Sequence, residues 1–210
     1  MAMMVSGSAT VGRILFAHGA GAPMDSAFME QVTQQLATGG LEVVRFEFPY
    51  MQQRRAAGTK RPPDRQPILL QSFSEMIERW AEDGVPLFLA GKSMGGRMAT
   101  MLADTVPVAG CFVYGYPFYS PGRLDRPRIE HLQTLNCPLH IFQGTRDRMG
   151  SKEVVTGYRL SEAVQIDWLE DGDHDFKPRK ISGLSQDVHI RHAVECTLQI
   201  CHQISRGLAG

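Results

Sequence analysis

The chain has 210 residues, 43% of them hydrophobic, and its 22 basic residues balance 22 acidic ones. A chain of this length can bury one sizeable core, so we expect a single domain over residues 1–210. A net charge of zero gives no overall attraction to nucleic acid or to an anionic membrane, and we expect neither as a partner.

Strand-like and helix-like patterns alternate along the chain, which is typical of a mostly parallel, twisted sheet with helices on both faces. A strand-like run at residues 13–17 leads into a loop of small residues at 18–22. Apolar residues at helical spacing predict a helix over residues 24–38, and residues 41–48 form the next predicted strand.

Residues 50–66 form a predicted loop that is rich in positive charge. The loop leaves a strand at its carboxyl end, where ligands gather in open α/β sheets. Arg54 and Arg61 are our candidates for binding an anionic ligand, because guanidinium groups bind carboxylates and phosphates through two hydrogen bonds. The alternative is a solvated loop whose charges point to water. The segment contains one acidic residue, Asp64, and five basic residues: Arg54, Arg55, Lys60, Arg61 and Arg65.

A serine lies between two glycines after the next predicted strand. A helix is predicted over residues 68–81, an apolar strand over 86–90, and a further helix over 95–104; Gly91-Lys92-Ser93-Met94-Gly95 joins the last two. This is the pattern of a nucleophile elbow, in which small flanking residues let two chain segments pass closely. We predict Ser93 as a nucleophile and the N–H of Met94 as a donor to developing negative charge. An ordinary strand-turn-helix unit is the alternative.

The sheet is predicted to continue through residues 108–116. The following segment, residues 118–136, offers only one short helix and is too short for a large lid over the strand ends. Tyr116 lies at the end of the strand and is a candidate for lining a substrate pocket. Packing of its ring in the core is the alternative.

Two further residues complete the chain order Ser, acid, His, which is that of α/β-hydrolases. Asp147 lies just past a short buried strand that begins at Leu139, and His174 follows a half-buried strand at residues 164–169. Catalytic groups collect at the carboxyl ends of such strands. Three other acids, which are too near His174 in sequence to be its usual partner, compete for the acid position: Asp171, Asp173 and Asp175.

A second backbone donor for the oxyanion is expected from the loop after the first core strand. The N–H of Ala20 is our first choice and that of Gly21 the second, because the small residues of this loop do not obstruct an approaching acyl oxygen. His18 is interpreted as a residue that shapes the loop.

No metal or other cofactor is expected. His189 and His192 lie one turn apart on a predicted closing helix at residues 188–205, beside Asp187, but further ligands have no obvious place. The cysteines show neither metal-ligand spacing nor a Cys-x-x-Cys pair. The opening residues lack a basic region followed by an apolar run, and no stretch approaches the length of a membrane span, so we expect a cytoplasmic protein without a membrane partner.

Three motifs, at residues 18–22, 61–65 and 91–97, resemble those of the small α/β-hydrolase-like proteins grouped with the testis-expressed-30 and NSL-complex-subunit families, relatives of dienelactone hydrolases. The resemblance covers nearly the whole chain. It implies a minimal α/β-hydrolase fold without a large lid, and some members of the wider group act within protein assemblies. It assigns the triad to Ser93, Asp147 and His174 and the oxyanion hole to Met94 and Ala20.

Together these features predict a serine hydrolase that cleaves a small ester or thioester by acyl transfer to water. The expected partner is a small-molecule acyl substrate, which would be anionic if Arg54 and Arg61 face the site. The alternative function is that of a non-catalytic interaction protein with the same fold.

Overall fold

A seven-stranded sheet forms the centre of the computed structural model, which describes residues 2–82 and 84–208. The strands are β1 (Met3–Ser6), β2 (Gly12–Ala17), β3 (Leu41–Phe46), β4 (Leu87–Lys92), β5 (Gly110–Tyr114), β6 (Leu139–Gly144) and β7 (Val164–Leu169). The helices are α1 (Ala27–Thr38), α2 (Pro49–Ala57), α3 (Gln66–Trp80), α4 (Met94–Leu102), α5 (Lys152–Val155) and α6 (Gln186–Leu208).

The strands lie in the order β1-β3-β2-β4-β5-β6-β7. Strand β1 runs antiparallel to β3, and every other neighbouring pair is parallel. Because parallel strands end at the same edge of a sheet, the loops that follow β2, β4, β6 and β7 all begin at that edge. The topology therefore gathers the segments in which the sequence analysis placed its candidate residues.

Successive residues of each central strand point to opposite faces of the sheet, and helices cover both faces. On one face Leu89 of β4 belongs to a buried cluster with Phe73 of α3. On the other face its neighbour Phe88 belongs to a cluster with Val32 of α1 and Val194 of α6. Burying a side chain of this size contributes about 1.5–3 kcal/mol, so two covered faces stabilise the sheet on which the site is built. The predicted fold class is confirmed.

Some predicted elements differ from those of the structure. The segment predicted as a loop at residues 50–66 begins with helix α2, which Pro49 starts and Gly58, in a left-handed conformation, ends. The predicted helix at residues 24–38 begins only at Ala27, because the N–H of Ser26 closes a turn on the carbonyl of Pro23. Strand β1 was not predicted.

Between β5 and β6 the only helical element is a single 3₁₀ turn, Glu130–Gln133. The strand ends therefore carry no inserted helical lid in this segment, as the sequence predicted. Among the described residues, no helix combines the length and the apolar character needed to cross a membrane.

Candidate active site

Ser93 occupies a sharp turn between β4 and α4. Its backbone angles, φ 53° and ψ −114°, lie in a region that non-glycine residues rarely adopt, so the turn is strained. A Cβ atom on Gly91 would stand 2.2 Å from the carbonyl carbon of Gly95, and one on Gly95 would stand 2.5 Å from the carbonyl oxygen of Ala17. Both glycines are required sterically, which is the geometry of a nucleophile elbow.

His174 joins Ser93 to Asp147. Its Nε2 atom lies 2.8 Å from the Ser93 hydroxyl oxygen, and its Nδ1 atom lies 2.7 Å from Oδ2 of Asp147. The Asp147 side chain is fully buried, whereas the imidazole is 25% exposed. The fold thus brings together the three residues that the sequence analysis singled out, each just after the carboxyl end of its strand.

Asp147 is held by two further hydrogen bonds, from the backbone N–H of Met149 to Oδ1 (2.7 Å) and from the side-chain amide of Gln143 to Oδ2 (2.8 Å). Gln143 also donates to the carbonyls of Tyr116 and Gly150, and its own oxygen accepts from the N–H of Tyr116. Sequence reasoning missed this residue. The sequence does contain a signal for it, since Gln143 is a polar residue within an otherwise apolar strand. A buried amide needs hydrogen-bond partners, so such a residue is expected to bind neighbouring polar groups.

The acids that neighbour His174 in sequence have other partners. Asp171 pairs with Arg146 at 2.7 Å and with Arg179 at 2.6 Å. The hydrogen bond from Arg179 is the main cause that lowers the pKa of Asp171 to about 2. Asp173 accepts backbone N–H bonds within its own loop.

Lys92 connects the loop that carries His174, here called the histidine loop, to the end of β4. Its buried Nζ donates to the backbone carbonyl of His174 at 2.7 Å and lies 3.3 Å from a carboxylate oxygen of Asp175. Burial lowers the pKa of Lys92, and the neighbouring carboxylates oppose that effect. Lys92 thus binds the histidine loop and has the carboxylate of Asp175 beside it.

The two predicted oxyanion donors border the same cavity as Ser93. Within the described part of the chain, the backbone N–H groups of Met94 and Ala20 donate to no other group. The Met94 N–H lies in the first turn of α4, where the helix dipole favours negative charge. Both groups are therefore free to donate to a ligand oxygen.

His18 fixes the loop that carries Ala20. Its Nδ1–H donates to the carbonyl of Gly19 (2.7 Å) and its Nε2 accepts from the N–H of Phe48 (3.2 Å), which requires a neutral ring. Burial is the main cause that lowers the pKa of His18 to about 4, in agreement with that state. Because the C=O and N–H of a trans peptide point in opposite directions, holding the Gly19 carbonyl also sets the direction of the Ala20 N–H.

In the described part of the chain, Ser93 lies in the walls of two of the cavities. The first, of about 330 Å³, is also lined by Ala20 and Met94. The second, of about 370 Å³, is lined by His174 and by Phe28 of α1. A substrate carbonyl at Ser93 thus has space on two sides for its acyl and alcohol parts.

The predicted substrate contacts lie elsewhere. Tyr116 is fully buried and its hydroxyl donates to the carbonyl of Arg128 at 2.8 Å, so its ring packs in the core. Arg54 donates to the carbonyl of Ala20 at 3.4 Å, and the hydroxyl of Tyr50 donates to the same oxygen at 3.0 Å. Arg61 is exposed at the surface. In the structure Arg54 bonds the loop that carries Ala20, and neither Arg54 nor Arg61 is among the described residues that line the two cavities at Ser93.

One group of potential metal ligands lies outside this site. Ligand atoms of Asp167, His192 and Cys196 lie within 4.8 Å of one another, between β7 and α6. His189, which the sequence analysis considered together with His192, is instead bound through Nδ1 to the carbonyl of Phe176 at 2.8 Å.

Residues 10–202 match a protein family described as an alpha/beta hydrolase domain. No curated protein matches the sequence. Similar solved structures include a monoacylglycerol lipase from Paleococcus ferrophilus (TM-score 0.70, 15% identity, 95% of this chain and 98% of that one). Another is the esterase domain of a Rhodothermus marinus protein (TM-score 0.63, 18% identity, covering 95% of this chain and 91% of that one). A third is an alpha-beta serine hydrolase homologue from Coxiella burnetii (TM-score 0.64, 18% identity, covering 96% of this chain and 89% of that one). At these identities the likeness shows a shared fold.

Proposed function

We propose that this chain, which belongs to the alpha/beta hydrolase domain family, is a serine hydrolase that cleaves small carboxylic esters or thioesters by acyl transfer to water. The observation that carries the proposal is the continuous hydrogen-bonded line from Ser93 through His174 to Asp147, with distances of 2.8 and 2.7 Å. A hydroxyl, an imidazole and a buried carboxylate in this order are the groups that activate a serine.

In the proposed mechanism His174 acts first as a base and then as an acid. Nδ1–H donates to Asp147, so Nε2 is the acceptor that faces the Ser93 hydroxyl. As the Ser93 oxygen attacks the ester carbonyl, its proton moves to Nε2, and Asp147 stabilises the imidazolium that forms. Collapse of the tetrahedral intermediate expels the alcohol or thiol, which takes the proton from Nε2.

In the second half of the reaction, water takes the place of Ser93 as the attacking group, and Ser93 becomes the leaving group. Water attacks the acyl-Ser93 ester, His174 accepts the proton from that water, and Ser93 departs with a proton from Nε2 to release a carboxylic acid. In both halves the negative oxygen accepts hydrogen bonds from the N–H groups of Met94 and Ala20. Donors of this kind contribute roughly 2.7–4 kcal/mol each to lowering the barrier.

The narrower assignments are also proposals. On the motifs at residues 18–22, 61–65 and 91–97 we propose kinship with the testis-expressed-30 and NSL-complex-subunit group. We further propose a single domain over residues 1–210, of which 1, 83, 209 and 210 lie outside the described residues, and a cytoplasmic location.

A fluorophosphonate probe tests the proposal, because it labels an activated serine whatever the natural substrate is. We expect the probe to label the wild-type protein at Ser93, and a 4-nitrophenyl acetate assay to show hydrolysis. Ser93→Ala should lose both while keeping its melting temperature, and Ser74→Ala, a serine of α3 outside the site, should keep both.

A folded wild-type protein that neither reacts with the probe nor hydrolyses the ester would contradict the proposal. That outcome would favour the alternative, a non-catalytic interaction protein with this fold.

A further inference from the structure

Two cavities meet at a pair of arginines beside Ser93. The cavity of about 330 Å³ that contains Ser93 also has Gln66, Arg97 and Arg128 in its wall. Another cavity, of about 430 Å³, which does not include Ser93 in its lining, shares the same three residues and is also lined by His131. A substrate that places its carbonyl at Ser93 and fills the first cavity therefore reaches both arginines.

Neither arginine has a carboxylate partner among the described residues. Nη2 of Arg97 donates to the amide oxygen of Gln66 at 2.8 Å, and Nη2 of Arg128 donates to the hydroxyl of Ser120. Both acceptors are uncharged. In the described part of the chain the ion pairs within 4.0 Å include neither Arg97 nor Arg128.

The guanidinium of Arg97 has unused hydrogen-bonding capacity. Its Nε atom is buried and has no hydrogen-bond partner among the residues that the structure describes. A buried donor without a partner is destabilising, and more so in a charged group, so Arg97, which lines both cavities, is a place where a ligand acceptor would be stabilising. Each cavity has one carboxylate in its wall, but among the described residues neither carboxylate pairs with an arginine of the cavity. Asp64, in the cavity of about 330 Å³, accepts from the N–H of Tyr50 at 2.9 Å, and Glu130, in the cavity of about 430 Å³, is exposed.

The two positive charges act on each other. Burial, and next the charge of Arg97, lower the pKa of Arg128. The same two causes lower the pKa of His131 to about 4, so this ring is neutral at pH 7 and does not add to the charge. Its Nε2 lies 3.0 Å from the hydroxyl of Thr100. Two like charges without a counter-ion repel, and an anion placed between them relieves that repulsion.

We infer that Arg97 and Arg128 bind an anionic group of the substrate, a carboxylate or a phosphate, while the scissile carbonyl lies at Ser93. The inference rests on the proposed function. Guanidinium groups are suited to both anions because their planar fork matches two oxygens at once. These residues, and not Arg54 and Arg61, are the ones the cavity presents; the charge of the neighbouring Arg55 is already paired with Asp25 and Glu47.

A matched pair of substrates tests the inference. The charged one is monoethyl succinate, and the neutral one is ethyl 4-methylpentanoate, in which an isopropyl group replaces the carboxylate; acid release is followed at constant pH. We compare the ratio of kcat/KM for the charged over the neutral ester in wild type, Arg97→Gln and Arg128→Gln. Each variant should lower this ratio about ten- to a hundred-fold, as expected for a charge-assisted hydrogen bond.

Two variants serve as controls. Arg123→Gln removes an exposed arginine that pairs with Asp125, and it should leave the ratio unchanged. Arg97→Lys keeps the charge but loses the planar fork, so it should retain part of the preference. If Arg97→Gln does not fold, as judged by its melting temperature, Arg128→Gln and Arg97→Lys still decide the question.

The outcomes separate the inference from the proposed function. Hydrolysis of the neutral ester with a ratio that neither glutamine variant lowers would overturn the anion site and leave the hydrolase proposal standing. Failure of wild type to hydrolyse either ester would contradict the hydrolase proposal.

In that second case, calorimetric titration of the protein with inorganic phosphate and with succinate still tests the arginine pair. Binding that Arg97→Gln and Arg128→Gln abolish supports it, and binding unchanged in both variants overturns it. The stronger of the two ligands identifies which anion the site prefers.

Discussion

The side-chain amide of Gln143, at the end of β6, donates to the Asp147 carboxylate across a distance of 2.8 Å. Gln143 is fully buried, and the same side chain also bonds both backbone polar groups of Tyr116 and the carbonyl of Gly150. One residue therefore couples the acid of the proposed triad to the chain segments on either side of it.

We predict that Gln143→Met lowers both stability and kcat. The variant removes the partner of two buried backbone groups, the N–H of Tyr116 and the carbonyl of Gly150, at a cost of about 1–3 kcal/mol each in the free energy of unfolding. It also removes one of the bonds that hold Asp147, so kcat should fall more than KM rises. Urea unfolding and ester kinetics measure the two effects. Gln165→Met, on the exposed surface of β7, should change neither, and an unaltered kcat in folded Gln143→Met would show that Asp147 is positioned without this bond.

Asp147→Asn should reduce kcat by roughly 10⁴-fold, as in serine proteases, because an amide supports the wrong tautomer of the imidazole. Asp173→Asn and Asp175→Asn should cost far less, since neither carboxylate bonds the His174 ring. Steady-state kinetics on one nitrophenyl ester decide between them. A larger loss at Asp173 or Asp175 than at Asp147 would transfer the acid role to that residue.

The preferred acyl chain should be short. The cavities at Ser93 have volumes of about 330 and 370 Å³, and the segment between β5 and β6 adds only one 3₁₀ turn above the strand ends. Each methylene that finds no apolar surface forgoes about 0.8 kcal/mol. We expect kcat/KM to be greatest for acetyl to butyryl esters, with no activation at a lipid interface. A preference for decanoyl esters would contradict this reading of the cavities.

The ion pairs of Asp171 should make stability depend on pH in a defined window. The pKa of Asp171 is about 2 in the folded chain against an ordinary 3.8, so its ionised form favours folding. That contribution is complete above about pH 4 and is lost as the pH falls towards 2. Asp171→Asn should therefore destabilise the protein at pH 7, and the difference from wild type should shrink below about pH 4.

Urea midpoints between pH 7 and pH 3 measure this difference. Asp125→Asn, which removes a carboxylate from exposed ion pairs, should have little effect at any pH. A constant difference between Asp171→Asn and wild type over the whole range would show that the effect does not depend on ionisation.

The proposed triad could be located from sequence because each member immediately follows a strand with a readable pattern. Ser93 is marked by two flanking glycines that the turn requires sterically, and Asp147 and His174 each follow an apolar or alternating run. In a parallel sheet such positions share one edge, so local patterns suffice to predict a long-range contact.

Other features depend on contacts that no local pattern reveals. Helix α2 buries only Tyr50 and Met51, too few residues to give a helical apolar period, so its segment resembled a loop. Strand β1 has four residues, and its conformation depends on pairing with β3, some forty positions along the chain. Arg97 lies in α4 and Arg128 lies just before the 3₁₀ turn. They line the same cavities because the fold brings these two segments together, which no local pattern indicates.

Lys92 holds the histidine loop through the backbone carbonyl of His174 and not through its ring. The position of the loop therefore does not depend on the side chain at 174. Removing the imidazole ring, in His174→Ala, should leave a gap between Asp147 and Ser93 while Lys92 still holds the loop in place. Free imidazole added to the solution fits such a gap, so this variant should yield a hydrolase whose turnover rises and falls with the concentration of an added base.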